Sequence, residues 1–445
     1  MEGDCEVVQL GTFGHQVGGH SVILKLPNQT ICKPLLPREH FFYESVAQEL
    51  KNYTPEYYGV IRVCFQPTVD AKFTSVAYPK ATIANPDPET KSMLSCSTKK
   101  SVHTEKDQEG IVFKSDDSSG NPWSVNCLNV MSSKLTEYVE QDYIVLEDLT
   151  ARYHSPCILD LKVGTRQHGD DASEEKKIMH TKMCTDSTSS SLGVRLCGAQ
   201  MFNAATSEYI FRDKYYGRQL DEARFHGALK DFLYDGSSYR TDILPELVDT
   251  LKQLREVIKS LSSYRLFSGS LMIIYDGQKT SSEVGGAPLP RDTTSPQDAS
   301  MKGMPASWTT RGLWPNRSSR SPWHTRPELL KFRQKVDVRL IDFAHTTHAG
   351  FVHDPIRYEG PDEGYITGLT TLISAFENMF KTLTFVWQVL DSSRRPLASK
   401  GLPPVGLSPP LVAELRSLSM PQYLSYSELL IVFSLQYIVS FRSSS

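Results

Sequence analysis

Apolar and polar positions alternate in short runs through the first part of the chain. SVILKL and TICKPL have the period of two expected of strands. An amphipathic stretch follows from Arg38 to Leu50, then the strand-like run GVIRVCF. Strand, strand, helix, strand predicts a small N-terminal lobe over about residues 7–146. Within it, residues 85–121 turn polar and broken (NPDPETKSMLSCSTKK, KSDDSSGN), with too few apolar side chains to offset the entropy of ordering, which predicts a mobile insertion.

The pattern resumes at YIVLEDLT, a short apolar strand ending in two carboxylates, and again at PCILDLKVG. Asp171 with Glu174 three residues on has the spacing of a helix capping box. Further strands are expected over Gly193–Phe202, Glu208–Arg212 and SGSLMIIYDG, and helices over Asp221–Tyr234 and Asp242–Leu261. Residues 278–334 are rich in Ser, Pro, Thr and Gly and predict a long surface insertion. VDVRLIDFAH then supplies a strand, and a helix is expected from Asp362 to about Phe380. Strands mixed with helices in this way make residues 147–381 an α+β lobe. From 382 to 445 the composition changes again, to SSRRPLASKGLPPVGLSPPL and a thirteen-residue apolar run, Leu429–Phe441. That run is shorter than the roughly 20 residues a membrane-spanning helix needs.

At 445 residues the chain is long enough for two lobes around a substantial core. A formal net charge of −3 gives no general attraction to nucleic acid, so any polyanion site has to be a local cluster of cations. All eight cysteines precede residue 198 and no two are separated by only two residues, which excludes a ribbon-type zinc site. The N-terminal MEGDCEVVQL has neither a basic flank nor a long apolar core, so reduced thiols in the cytosol or nucleus are the expectation.

Chemistry concentrates in PCILDLKVG. On a strand, Asp160 and Lys162 point to one side while Leu159 and Leu161 turn to the core. A carboxylate and an ammonium so presented can hold a nucleotide hydroxyl and a substrate phosphate, or form a surface ion pair worth under about 1 kcal/mol. Arg166 and His168 follow, then a candidate helix bearing Lys176, Lys177, His180 and Lys182. Positions 176, 177 and 180 share one side at helical spacing, as either a cationic wall or a solvated face. Asp342, in the tripeptide Ile341-Asp342-Phe343, follows a strand and precedes His345, His348 and His353. H-x-x-H beside a carboxylate also suits zinc, but only if the two imidazoles converge on a helical turn, and Gly350 favours a loop. In the N-terminal segment, Lys33 on a strand is followed by Glu44, the order in which a phosphate-gripping lysine and its orienting glutamate occur in kinase small lobes. Gly18 and Gly19 stand where a hairpin can cover phosphates with backbone N–H groups.

PCILDLKVG resembles the signature of the inositol polyphosphate kinases, with Pro156, Asp160, Lys162 and Gly164 in the family's relative places. TRQHGDDASEEKK resembles the hexakisphosphate kinases in particular rather than the trisphosphate or multi-substrate kinases, and RLIDFAHTT resembles the family's metal-binding segment. The resemblance covers about residues 7–85, 120–280 and 335–380. It departs in the Trp- and Arg-containing insertion SWTTRGLWPNRSSRSPWHTR, where acidic residues are expected, and in the tail.

The resemblance implies a two-lobed kinase-like fold, of the SAICAR-synthase type, with an ATP cleft between the lobes and ATP and Mg2+ as cofactors. The catalytic set is Lys33, Asp160 and Lys162. Lys33 and Glu44 lie at the ATP phosphates, Glu147, Asp148 and Leu149 at the adenine, and Asp160 on the ribose hydroxyls or close to the reacting phosphate. Asp342 is implied on the metal, with Ser270 near it. Pro156, Asp160, Lys162, Gly164, Arg166, His168, Lys176, Lys177, Lys182, Lys214 and Arg218 are implied around the inositol phosphate. The implied reaction is phosphorylation of inositol hexakisphosphate to a diphosphoinositol pentakisphosphate, with small molecules as partners and neither nucleic acid nor a membrane span. Two readings stand beside it: a kinase acting on inositol tris- or tetrakisphosphate hydroxyls, and a catalytically weak protein that binds inositol phosphates.

Overall fold

The computed structural model describes residues 8–19, 21–26, 28–67, 73–79, 111–114, 121–278 and 335–394. The chain opens with three two-residue strands, β1 (Val8–Gln9), β2 (Gly11–Thr12) and β3 (Leu24–Lys25), and continues through β4 (Thr30–Pro34), helix α1 (Pro37–Ser45), β5 (Tyr57–Pro67) and β6 (Phe73–Pro79). Then come β7 (Ile111–Lys114), α2 (Pro122–Lys134) and β8 (Val139–Glu147). One antiparallel sheet has the order β1-β6-β5-β8-β4-β3-β2. Its apolar side, with Leu24, Val63, Phe65, Tyr143 and Val145, packs against α2 through Cys127, Leu128 and Met131.

The second sheet is built from β9 (Pro156–Val163), β10 (Val194–Asn203), β11 (Glu208–Arg212), β12 (Ser270–Asp276) and β13 (Val336–Ile341), in the order β13-β12-β9-β10-β11-β7. Strand β7 falls inside the stretch expected to be a mobile insertion, yet it pairs antiparallel with β11. Helices α3 (Glu174–Thr185), α4 (Thr188–Leu192), α5 (Lys214–Arg218), α6 (Glu222–Phe232), α7 (Leu244–Ser260) and α8 (Glu363–Arg394) complete the lobe. Leu244, Leu247, Val248, Leu251, Leu254 and Ile258 recur at three- and four-residue steps, which gives α7 one apolar stripe. That stripe shares a core with Leu369, Leu372 and Phe376 of α8 and with Leu159 and Leu161 of β9. Each fully buried leucine of this kind contributes about 1.5–3 kcal/mol.

Three boundaries differ from the sequence pattern. Helix α1 ends at Ser45, because Val46 and Ala47 are extended and the Ala47 amide donates to the Tyr264 hydroxyl at 3.1 Å; the chain then makes a separate 3-10 turn, Gln48–Tyr53. The cap of α3 is Ser173, whose hydroxyl accepts from the Lys176 amide at 3.3 Å, so Asp171 stands outside the helix. Helix α8 runs through residue 382, where a compositional tail was expected to begin. The rest of that tail, with Leu429–Phe441, and nearly all of the insertions expected at 85–121 and 278–334 lie outside the described residues. Among the described residues no helix is long and apolar enough to cross a membrane.

Candidate active site

Strand β9 runs through the middle of the second sheet, with β10 on one side and β12 on the other. Its alternation turns Leu159 and Leu161 into the core and sets Asp160 and Lys162 on the opposite face. Asp160 lies between Met272 and Gly198, and Lys162 between Ser270 and Arg195. The Lys162 ammonium donates to the Ser268 carbonyl at 2.7 Å and to Asp342 Oδ2 at 2.9 Å. Asp342 follows β13 with φ 65°, in the left-handed region; this turn aims its carboxylate back at β9 instead of along the sheet.

The other oxygen of the same carboxylate takes a lysine from the first sheet. Lys33 Nζ, on β4, lies 3.2 Å from Asp342 Oδ1 and 3.0 Å from Glu39 Oε1. Glu39 is fully buried and also accepts from the Phe343 amide at 3.3 Å. One carboxylate of α1 therefore holds both the lysine of one lobe and the backbone beside the aspartate of the other. Glu44, expected in this role, is five residues further on, about 140° around the helix; it is more than half exposed and 3.5 Å from His40.

Burial works against charge on Lys33, Lys162, Asp342 and Asp160, and pairing overcomes it in the first three. Lys162 and Lys33 together outweigh the desolvation of Asp342 and hold its carboxyl far below the ordinary range. Both ammonium groups are raised in turn, Lys33 by Glu39 and Asp342 and Lys162 chiefly by Asp342. For Asp160 desolvation prevails: despite Lys162, and with Asp342 adding repulsion, its carboxyl is pushed up to about 6. Ser270 was expected beside the metal. It lies directly opposite Lys162 on β12 and so shares the cleft-facing side with Lys162 and Asp160, its hydroxyl buried close to the Asp160 carboxyl.

Above Asp160 lies the hairpin between β2 and β3. A Cβ on Gly18 would stand 2.5 Å from Asp160 Oδ2, and one on Gly198 would stand 2.0 Å from the Val17 carbonyl oxygen, so bare backbone at both places is what lets the hairpin rest on β9 and β10. Val17, Leu149, Ile158 and Ile274, with Met272 and Ile341 against them, form a small apolar cluster where the lobes meet. Glu147 ends β8 beside it, its amide bonded to the Glu56 carbonyl at 2.9 Å. Asp148 is buried, accepting from the Thr150 amide at 2.9 Å and lying 3.3 Å from Lys25.

The expected cationic wall is assembled in part. Lys176 Nζ reaches His345 Nε2 at 3.4 Å, three residues past Asp342, and His180 Nδ1 sits 2.6 Å from the Gln167 carbonyl. Arg166 and Gly164 line a cavity of about 280 Å³ with Phe267, Tyr358 and Asp362. There the Arg166 guanidinium lies 4.0 Å over the Phe267 ring and 2.5 Å from Asp170, while Gly164 turns the chain at φ 102°. His168 Nδ1 is 3.2 Å from the Gly169 carbonyl. Lys214 and Arg218 come from α5, both against the Tyr215 ring. Lys214 neighbours Cys197, a thiol pushed up by burial and by the nearby Asp160 carboxylate.

Lys182 and Pro156 are placed otherwise. Lys182, about 240° around α3 from Lys176, is exposed and pairs with Asp186 at 2.6 Å. Lys177 pairs with Glu174 at 2.7 Å. Pro156 opens β9 some 20 Å from Lys162 at about 3.3 Å per residue, and its carbonyl accepts from Gln200. The imidazoles have separate partners: His348 stacks on Tyr264 with ring centroids 4.7 Å apart and touches Ser45, whereas His345 meets Lys176 and Asp171.

The model of the inositol polyphosphate kinase family matches residues 143–377. Inositol hexakisphosphate kinase 1 of Rattus norvegicus is 35% identical over 430 residues, covering 84% of this chain and 94% of its own length. The Homo sapiens enzyme of the same name is 37% identical over the same extent, and Homo sapiens inositol hexakisphosphate kinase 3 is 34% identical over 421 residues, 84% of this chain and 95% of its own. A solved structure of an inositol phosphate multikinase from S. cerevisiae, in complex with ADP and Mn2+, has a TM-score of 0.45 at 18% identity, covering 79% of this chain and 99% of that one. With the signature strand β9, Asp342 and their surroundings all inside the matched segment, the chain belongs to the inositol polyphosphate kinase family.

Proposed function

We propose that this protein transfers the terminal phosphoryl group of ATP to inositol hexakisphosphate, giving a diphosphoinositol pentakisphosphate. The observation that carries the reading is the meeting of Lys33 and Lys162, from different sheets, on the two oxygens of Asp342, in a chain 34–37% identical to hexakisphosphate kinases over 84% of its length. Two polyanions brought together need cations from both sides of the cleft, and these two lysines supply them. Every ring carbon of the hexakisphosphate bears a phosphate, so the acceptor is a phosphate oxygen, already anionic at neutral pH. No general base is needed, and catalysis rests on placement and charge neutralisation.

In this reading Lys33, held by Glu39, neutralises the ATP phosphates under the Gly18–Gly19 hairpin. Val17, Leu149, Met272 and Ile341 form an apolar slot suited to adenine, with the backbone near Glu147 and Leu149 at its edge. Asp160 lies toward the ribose or the reacting phosphate. Lys162, Arg166, His168, Lys176, Lys214 and Arg218 face the inositol phosphate. Asp342 fits Mg2+, which takes one or two carboxylates and completes its shell with phosphate oxygens and water: it is ionised and partly open to solvent. Bound there, the ion would neutralise charge between the phosphates.

The test is to incubate purified protein with ATP, Mg2+ and each inositol phosphate and to resolve the products by charge. A product with one phosphate more than the hexakisphosphate is expected. Turnover of tris- or tetrakisphosphates alone would replace this reading with the hydroxyl kinase, and no turnover would leave a binding protein. Lys162→Ala and Asp342→Ala should nearly abolish turnover in folded protein.

A further inference from the structure

The glycine hairpin is held in place by helix α2, which the sequence pattern did not mark. Gln16 is buried, and its side-chain amide donates to the Gly18 and Ser21 carbonyls at 2.9 and 2.8 Å, while its backbone amide meets Ser124 Oγ of α2 at 3.3 Å. Asn121, the cap of α2, donates its amide to the Gly14 carbonyl at 2.8 Å. Trp123 makes the outermost connection. Its indole N–H donates to the Gly19 carbonyl at 3.0 Å, and the Lys214 ammonium lies 4.9 Å over its ring. One side chain thus touches both the tip of the hairpin above Asp160 and a lysine of the opposite lobe.

We infer that Trp123 is a positioning residue that couples the two binding sites, its N–H fixing the nucleotide hairpin and its ring face fixing Lys214. The inference rests on the proposed reaction for the identity of the two ligands, though the anchoring of the hairpin does not depend on it. A hairpin drawn down onto nucleotide carries Trp123 with it, and the indole carries the position of Lys214, so occupancy of one site alters affinity at the other.

Two variants separate the two contacts. Trp123→Phe keeps a ring for Lys214 and loses the N–H donor; the KM for ATP should rise about fivefold, the effect of one hydrogen bond, with kcat and the KM for inositol hexakisphosphate within about twofold. Trp123→Leu loses both contacts, so both KM values should rise. The Kd for inositol hexakisphosphate, measured with and without a non-hydrolysable ATP analogue, should change with the analogue in the natural protein and cease to change in Trp123→Leu. Hydrogen exchange of the Gly14–Ile23 amides, measured without ligand, should accelerate in both variants. Unchanged KM for ATP and unchanged exchange in folded Trp123→Phe overturn the inference, whatever happens to Trp123→Leu. Faster exchange in a protein that turns over no hexakisphosphate would instead remove the proposed reaction and leave the anchoring intact.

Discussion

Arg38 and Asp354 meet fork to fork, with Nη2 2.7 Å from Oδ1 and Nη1 2.8 Å from Oδ2. The guanidinium also lies 4.7 Å over the Phe351 ring, and the Thr347 hydroxyl donates to the same carboxylate. This pair fixes α1 to the loop after Asp342, one residue from Glu39. Lysine cannot reproduce the two-pronged geometry. Arg38→Lys should therefore destabilise the protein by about 1–3 kcal/mol in urea unfolding and lower kcat, with the Asp354→Asn variant behaving alike and the double variant costing little more than either alone.

Glu39 and Glu44 offer a clean contrast. Glu39→Gln removes the charge that orients Lys33 and weakens the hold on the Phe343 amide; misplacement at this scale costs on the order of 100-fold in kcat. Glu44→Gln, on the exposed side of α1, should stay within about twofold. Steady-state kinetics of the two purified proteins decides between them.

Gly198 admits the hairpin backbone to the sheet. Gly198→Ala places a methyl carbon 2.0 Å from the Val17 carbonyl oxygen, so one of the two backbones must shift. The hairpin should lift from Asp160, raising the KM for ATP at least about tenfold, with a loss of stability of about 1–3 kcal/mol from overpacking. Nucleotide titration and thermal unfolding would show both effects; unaltered nucleotide affinity would count against the seating of the hairpin.

Asp160 makes stability depend on pH in a direction opposite to most paired carboxylates. Its carboxyl is pushed up from 3.8 to about 6 by burial, so between about pH 4 and pH 6 the folded protein binds more protons than the unfolded chain. Stability from this group is present at the acid end of that window and is lost as pH rises through about 6, amounting to at most about 3 kcal/mol. Asp342 acts with the reverse sign, its contribution being kept above its ordinary value and lost only in stronger acid. Asp160→Asn should flatten the decline between pH 4 and pH 6 in urea unfolding of the ligand-free protein; an unaltered slope would mean that Asp160 is charged throughout.

Much of the frame could be read from local pattern, because periodicity reports which side of an element is buried. Strands β9, β11 and β12 and the stripe of α7 follow from their alternation, and the shared face of Asp160 and Lys162 follows from it too. What escaped notice depends on partners distant in sequence. Glu39 and Glu44 look alike in PREHFFYES; only the rotation of α1 against Asp342 selects one, and the proline at the helix start was the available clue to that phase. Lys182 was grouped with Lys176 by proximity in the chain, although six residues is not a helical repeat. Helix α2 carries no strong apolar stripe in PWSVNCLNVMSSK, so its role in holding Gln16 emerges only from tertiary contacts. Strand β7 was hidden in polar surroundings and owes its pairing to the open edge of β11.

Helix α1 is bolted to the far lobe along its length: Arg38 to Asp354, Glu39 to the Phe343 backbone, Phe42 stacked 3.8 Å from the Phe343 ring, and Ser45 to His348. A helix so fixed cannot swing in and out as a switch without tearing a whole seam at once. Among the described residues, the hairpin resting on Gly18 and Gly198 has no such seam beneath it: bare backbone is what seats it.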